Sequence, residues 1–470
     1  MLRLIIEKEL RDIVTSTKFA VTFASCAALI LLAFFMGGAR YHADVARYEA
    51  AQAENLKKIE GVTDWLQVRD NRIFLPPQPL ATLVCGVSND IGRTTQVRGR
   101  GELSQNETRY GDEPVFAMFR FLDLEFIFQI VLSLFAVVFA YDAVCGEKER
   151  GTLRLTFANP LPRRRYIAGK LIGAFLGLAL PLLVPVLLGC LLLTQMGIPL
   201  SADEWVRLAL IIGTGLLYFG AFLTIGIAVS ALTVRSSSAF LALLVIWIAA
   251  VLILPRSAIL LAGRAVDVPS LDDINAKKFR YQEQLFDEDR VKMSSFSPSS
   301  TGDMQKMVGE FQKFMTSISD EREKKMDEFS ARLNEERANK QALQQSLALG
   351  IARVSPSAAF SLAAEALAGT SLTLKDHYLQ AAKEYQQTFA KFMLDKTGMN
   401  PGGGMVFRIR IDDSQKSAPI NPREIPPFVY RPMTLSEVLP SAVIDIGLLF
   451  VCTLLFFALA HLAFHRYDLR

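Results

Sequence analysis

The 470-residue sequence has no GxxxxGK[ST] phosphate loop, no Gly-x-Ser-x-Gly nucleophile elbow and no zinc motif. The chain is therefore not expected to hydrolyse ATP or to run serine-nucleophile or zinc-hydrolase chemistry. Cysteine and histidine are scarce. Cys26, Cys190 and Cys452 lie inside apolar runs, Cys145 stands at the end of one, and Cys85 is alone outside them, without a partner for an intrachain disulfide. His42, His377, His461 and His465 are scattered, and no Cys or His cluster has metal-ligand spacing, so no metal centre is expected. Charge is also in short supply, at 21% of residues with a formal net charge of +4. That excess is too small, and too little interleaved with aromatic residues, to read as a nucleic-acid surface. Internal repeats and low-complexity tracts are lacking.

What remains is strong segregation, with 51% hydrophobic residues gathered into long uncharged runs. The runs at 19–36, 121–144, 171–193, 208–232, 239–261 and 442–464 approach or exceed the ~18 residues needed to cross a ~30 Å hydrocarbon core. Residues 1–18 place Leu2, Ile5, Ile6, Leu10, Ile13 and Val14 on one helical face, with Arg3, Glu7, Lys8, Arg11 and Asp12 mainly on the other. That pattern reads as an amphipathic helix lying in the membrane interface. A signal-peptide n-region is the competing reading, and Glu7, Glu9 and Asp12 argue against it. The fold class expected is an all-α polytopic membrane protein with six transmembrane helices. The basic N-terminus and short basic loops put both termini in the cytoplasm. Residues 40–120 and 263–440 then fall outside.

The stretch from Tyr141 to Lys170 is the most informative. Between residues 147 and 170, Lys148, Arg150, Arg154, Arg163, Arg164, Arg165 and Lys170 face only Glu147 and Glu149. A basic loop between two spans should be cytoplasmic. Gly151-Thr152 can open a short helix to Ala158, stopped by Asn159, Pro160 and Pro162. Such a helix is a docking surface for a partner; the plainer reading is a solvated loop that only fixes topology.

The segment GEKERGTLRLTFANPLPRRRYIAGK resembles the loop after the second transmembrane helix in ABC-2 type permeases, the membrane half of ATP-driven exporters. Glu147, Glu149, Gly151, Thr152, Leu153, Pro162, Arg163 and Lys170 match that pattern one by one. The N-terminal helix and the order of spans are similar too. The likeness is greatest to the subgroup with large extracytoplasmic insertions, including permeases of gliding-machinery exporters. It implies a bacterial inner-membrane subunit that binds no cofactor itself, with ATP and Mg held by a separate ABC ATPase partner. It also implies a second permease subunit, identical or different, and a role for Glu147, Glu149, Gly151, Thr152, Leu153, Pro162 and Arg163 in coupling to the ATPase. Lys170 would open the next span.

Other residues are candidates on their own chemistry. Asp123 and Glu125 at the outer end of the second run, and Asp445 in the outer half of the sixth, are acidic groups in apolar segments, hence candidates for a pathway or gate. An end carboxylate can equally serve a helix N-terminus. Pro181 and Pro185 should kink or unwind the third span. Gly169, Gly173 and Gly177 form a small-residue stripe for close helix packing.

The first external segment, with Pro76, Pro77, Pro79 and several glycines, reads as an irregular covering piece, with a helix continuing over Tyr48 to Lys58. The second reads as helices from Ser270 to about Met293 and from Met304 onward, forming a hairpin off the membrane or packing in a globular domain. A Ser-Pro-Ala-rich helix from Ser355 to Gly369 follows, similar to one that ends the insertion in related permeases. Next come a helix from Thr373 to about Lys396, a glycine loop at Gly402 to Gly404 and a short strand at Phe407 to Ile411. Two functions fit: a transport pathway driven by ATPase subunits through a membrane-lipid-embedded dimer, or a membrane-anchored scaffold or sensor whose outer domain binds a periplasmic or envelope protein.

Overall fold

The computed structural model describes residues 2–68, 70–88, 92–99, 103–106, 122–158, 162–297, 304–397 and 419–466. The anticipated Asn159 and Pro160 stop, the glycine loop at 402–404 and the strand at 407–411 lie outside these residues. Helix α1 (Leu2–Val14) is followed after a two-residue turn by α2 (Thr17–Ile59), whose N-cap Ser16 side chain accepts a hydrogen bond from the Phe19 amide. At ~1.5 Å per residue α2 is about 64 Å long, twice a hydrocarbon core. The first span and the continuation over Tyr48 to Lys58 are thus one rod.

Among the described residues, five further helices are long and apolar enough to span a membrane. They are α3 (Leu124–Glu149), α5 (Arg163–Gln195), α6 (Ala202–Leu232), α7 (Ser236–Ala265) and α12 (Leu435–Arg466), with the short α4 (Thr152–Phe157) between α3 and α5. Each exceeds its apolar run in the sequence. In α6 the extension comes from a capping box: Ser201 Oγ accepts from the Glu204 amide and the Glu204 carboxylate accepts from the Ser201 amide. Helix α5 runs through Pro181 and Pro185 without a break, unlike the unwinding expected there. Interruptions occur elsewhere, as π segments at Ile127–Leu132 in α3 and Ile248–Ile253 in α7.

Helix α6 is the centre of the bundle. Its apolar window is 67% buried, against 22% for α2 and α7 and 17% for α12. It packs on α3, α12 and the insertion helix α10 (Pro356–Ala368). Gly215 faces the Phe128 ring and Gly226 faces Ala140, and neither position leaves room for a side chain. Close backbone approach of this kind matters because lipid gives helices no hydrophobic drive to associate.

The inserted segments are not irregular. Between α2 and α3 lie β1 (Asp70–Phe74), β2 (Thr94–Arg98) and β3 (Ser104–Asn106), an antiparallel sheet in the order β1-β2-β3. Asp70 pairs with Arg98, and Thr94 pairs with both Phe74 and Asn106. Helix α11 (Thr373–Thr397) covers this sheet through Tyr378, Tyr385 and Phe389. Tyr385 OH accepts from Asn71 at 2.7 Å and donates to the Pro426 carbonyl at 2.7 Å, so a buried hydroxyl is fully used. Separately, α8 (Leu271–Ser294) and α9 (Met304–Ala352) form the helical hairpin, joined by stacking of Tyr281 on Phe329 and ion pairs Arg322–Asp289 and Lys292–Glu321.

One placement corrects the sequence reading. Residues 263–440 are not wholly outside the bundle. Helix α10 is buried among α3, α6, α7 and α12. Ala-rich sequence permits this: Ala358, Ala359, Ala363, Ala364, Ala366 and Ala368 let neighbouring helices close in, and Phe360 fills the gap beside Tyr218 with rings 4.9 Å apart.

Candidate functional site

At the end of the bundle that carries α1 and the end of α12, α3 turns before it finishes. The Ser230 hydroxyl of α6 accepts hydrogen bonds from the Val144 and Cys145 amides, both at 3.0 Å, and so holds the turn at 141–144. Beyond it, residues Cys145–Glu149 regain helix, and Gly151 at φ +71° redirects the chain into α4. A left-handed φ favours glycine there.

The turn delivers Glu147 into a buried cluster. Its Oε1 accepts from Lys170 Nζ at 2.8 Å and Lys8 Nζ at 2.9 Å, and its Oε2 accepts from Tyr166 OH at 2.6 Å. Lys170 also contacts Glu9 at 2.6 Å. Two carboxylates and two ammonium groups cancel, the condition for keeping charges out of water at tolerable cost. Burial pulls the Lys8 ammonium down, but the hydrogen bond and charge of Glu147, with Glu9 and Asp12, outweigh it and raise its pKa. The cluster ties α1 to α5, and the glycine stripe makes the seat. A Cβ on Gly169 would come 2.8 Å from Ile5, and one on Gly173 would come 2.7 Å from Glu9.

The remaining loop residues fan outward to other helices. Lys148 Nζ donates to the Thr233 carbonyl at 3.0 Å and to that of Ala231, at the end of α6. Glu149 accepts from the Ser236 amide and hydroxyl at the start of α7. Arg163 donates to the Phe464 and His465 carbonyls at the end of α12, where cations suit the helix dipole. Pro162 is the N-cap of α5, and Thr152 opens α4 with its hydroxyl on the Glu147 carbonyl at 3.4 Å. One short segment therefore touches five helices. Leu153 is 1% exposed, against the core under α4, whereas Leu155 is 74% exposed and points away from the chain. Sequence reasoning singled out Glu147 and Lys170 but missed Lys8, Glu9, Tyr166, Ser230 and the outward Leu155. A signal existed for Glu9: it falls beside the apolar face of α1, which no freely solvated acid requires.

The three candidate acids stand near the opposite end and do not converge. Asp123 caps α3, accepting from the Phe126 amide at 2.8 Å and the Cys85 amide at 3.2 Å. Glu125 accepts from Ser361 of α10. Asp445 of α12 pairs with Arg353, just beyond α9, at 2.6 Å. Each acid thus serves a helix start or holds the insertion in place. Between them runs a polar chain absent from the sequence reading. Trp247 donates to Ser133 Oγ at 2.8 Å, Tyr218 donates to the Gln129 carbonyl at 2.9 Å, and Gln129 donates to Ser357 Oγ at 2.9 Å. Ser355 Oγ donates to the Ala250 carbonyl. Both π segments lie on this chain, since they carry Gln129 and Ala250. Such segments expose carbonyls for side-chain donors and cluster at functional positions. An apolar cleft lined by Phe19, Phe23, Cys26, Phe135, Leu178 and Phe219 lies deeper, and none of the three acids lines it. Among the described residues, no group of three or more His, Cys, Asp or Glu side chains is arranged to hold a metal.

Comparison with known proteins bears on this arrangement. The family model described as "ABC-2 family transporter protein" matches residues 3–469, from α1 through α12. The "Probable ABC transporter permease protein NosY" of Stutzerimonas stutzeri is similar over 54 residues at 44% identity, 12% of this chain and 20% of that one. The protein of the same name from Pseudomonas aeruginosa gives the same figures. The chain thus spans about a fifth of the length of these curated relatives.

Proposed function

The chain belongs to the ABC-2 family of transporter proteins, and from that membership we propose that it is the permease subunit of an ATP-driven exporter in a bacterial inner membrane. Two permease subunits form the pathway. Separate ATPase subunits bind ATP and Mg and drive it. Both termini are cytoplasmic, and the sheet module and the α8–α9 arm are extracytoplasmic. The basic loop between α3 and α5 supports this orientation through the positive-inside rule.

The observation that carries the reading is the exposed Leu155 on a short helix whose base is locked to α1, α5, α6, α7 and α12. A partner that grips α4 grips most of the bundle. Leu155 is the knob it would bury; Arg154 beside it in sequence and Arg164 and Arg165 at the start of α5 are exposed as well, which suits an apolar groove with an acidic rim. Leu155→Asp is the test. The side chain touches little of its own chain, so insertion and folding should be unchanged. An unpaired carboxylate buried at an interface is costly, so ATPase co-purification should weaken at least about tenfold, or transport should stop while ATP is still hydrolysed. Normal assembly with normal transport would reduce the loop to a topological anchor. The scaffold or sensor alternative draws support from the arm, since α9 is about 73 Å long at ~1.5 Å per residue. It requires that no nucleotide-binding subunit co-purifies.

A further inference from the structure

The foot of the arm has an unexpected surface. Helix α9 lies along the far part of α7. Arg337 donates to the Pro269 carbonyl and Gln344 to the Val266 carbonyl, both at 3.2 Å, and Ala352 packs on Ala258. The chain then goes deeper, where Ser355 reaches the Ala250 carbonyl, and α10 climbs back until Arg207 of α6 holds the Leu367 carbonyl at 2.6 Å. Depth can be read along α7. At ~1.5 Å per residue, Ala250 stands roughly 21 Å and Ala258 roughly 33 Å from Ser236. Arg235 marks the water boundary next to that start. A bilayer of ~40–45 Å including headgroups, measured from Arg235, therefore encloses Ser355, places Ala352 near the outer edge of its ~30 Å core, and carries the last turns of α9 through the headgroup layer to its outer edge near Gln344, which is level with Val266.

The composition of those turns fits that depth. Glu335, Glu336, Arg337 and Lys340 give way to twelve residues without a charge, and the next ion, Arg353, is paired to Asp445. The face turned away from α7 carries Leu343, Leu347, Ile351 and Val354, with Ala342, Ser346 and Gly350 beside them, and all four large residues are exposed. This face continues the exposed apolar surface of α7 at Ile259 and Leu260. We propose that the foot of the arm, residues 342–354, is seated in the lipid of the leaflet on the insertion side, with acyl chains and headgroups as the occupant of its apolar face. The arm is then anchored twice, by lipid on one side and by the Arg353–Asp445 pair on the other. Any tilt of the arm drags against the leaflet.

Site-directed spin labelling of the full-length chain in lipid nanodiscs tests this. Single cysteines replace Leu343, Leu347, Ile351 and Val354, with Ala331→Cys as a water-side control. The native cysteines are buried or half-buried, so the parent chain treated in the same way is the blank. Collision with oxygen, which concentrates in lipid, is compared with collision with a water-soluble nickel complex. Oxygen should be favoured at positions 351 and 354, with the ratio rising in the order 343, 347, 351, 354, and nickel should be favoured at 331. Nickel preference at 347, 351 and 354 would overturn the proposal in favour of a solvated foot. Shielding from both reagents, with spin–spin broadening between copies, would overturn it in favour of a subunit interface. All four positions are exposed, so misfolding should not obscure the result. Quenching of a bimane label at Leu347→Cys by doxyl lipid is the second readout, and its absence counts against the proposal.

Discussion

Losing two charges from the Glu147 cluster together should cost less than the sum of the two single losses. Lys170→Met deletes the ammonium that contacts both Glu147 and Glu9. Two buried carboxylates then share Lys8, which reaches Glu147 from a half-exposed position. Breaking a buried pair in this way costs about 3–5 kcal/mol, because the surviving charge remains desolvated. Glu147→Gln leaves Lys170 paired with Glu9 and keeps an amide oxygen for Tyr166, so it should cost less, about 1–3 kcal/mol. In the double variant Lys170→Met with Glu147→Gln, the worst consequence of the lysine loss is gone. The coupling energy should then reach about 1–2 kcal/mol in the favourable direction, within the range for residues in direct contact. The assay is reversible unfolding of the full chain in mixed micelles, run as a four-corner cycle. Additivity within about 0.5 kcal/mol would mean that the cluster is not a coupled unit, and the argument that it locks α1 to α5 would collapse.

Two further outcomes follow from the packing. Gly173→Leu should lift α1 from α5, because even a Cβ would meet Glu9 at 2.7 Å; cleavage by trypsin at Arg11 should rise severalfold while the six spans still insert. For orientation, native Cys85 is a poor reporter: it is buried and accepts from Arg40 at 3.3 Å, so an impermeant thiol reagent should label it only after unfolding. Leu372→Cys, on the exposed turn before α11, should instead react in intact spheroplasts, whereas Leu155→Cys should react only after permeabilisation; the reverse pattern would invert the topology.

The spans were legible because their signal is local: a run of apolar residues needs no partner to be recognised. The glycine stripe at 169, 173 and 177 was legible as a packing surface, yet nothing in its spacing named α1 as the helix that sits on it. The sheet was hidden for a related reason. Strands of three to five residues, separated by prolines and glycines, carry almost no periodicity, and β1 and β2 acquire theirs only by pairing and by the cover of α11. Helix α10 was legible as a helix, from Ser355-Pro356 to Gly369, but not as part of the bundle. Its alanines fit an exposed helix as well as a buried one. Burial is decided by Gln129, Glu125 and Arg207, at least 150 residues away in sequence. Leu153 and Leu155 show the same limit at the smallest scale, since two leucines two positions apart point to opposite sides of one short helix.

The two polar clusters share one helix, and that gives α3 a particular place. It holds Gln129 against α10 near one end and Glu147 against α1 and α5 at the other, eighteen positions along the chain. Coupling between them needs an element with two arrangements, not merely a line of contacts. Helix α3 departs from regular α-helix at two places where such a change could be accommodated: the π segment at Ile127–Leu132 and the turn at 141–144 held by Ser230. Only Ser133–Ala140 between them is uninterrupted α-helix. A movement imposed at Glu147 would reach Gln129 through a short regular piece flanked by two irregular joints. Exchanging the Ser230 hydroxyl bonds for a regular i to i−4 ladder would straighten the inner joint, and the side chains that must follow are those already tied to Glu147.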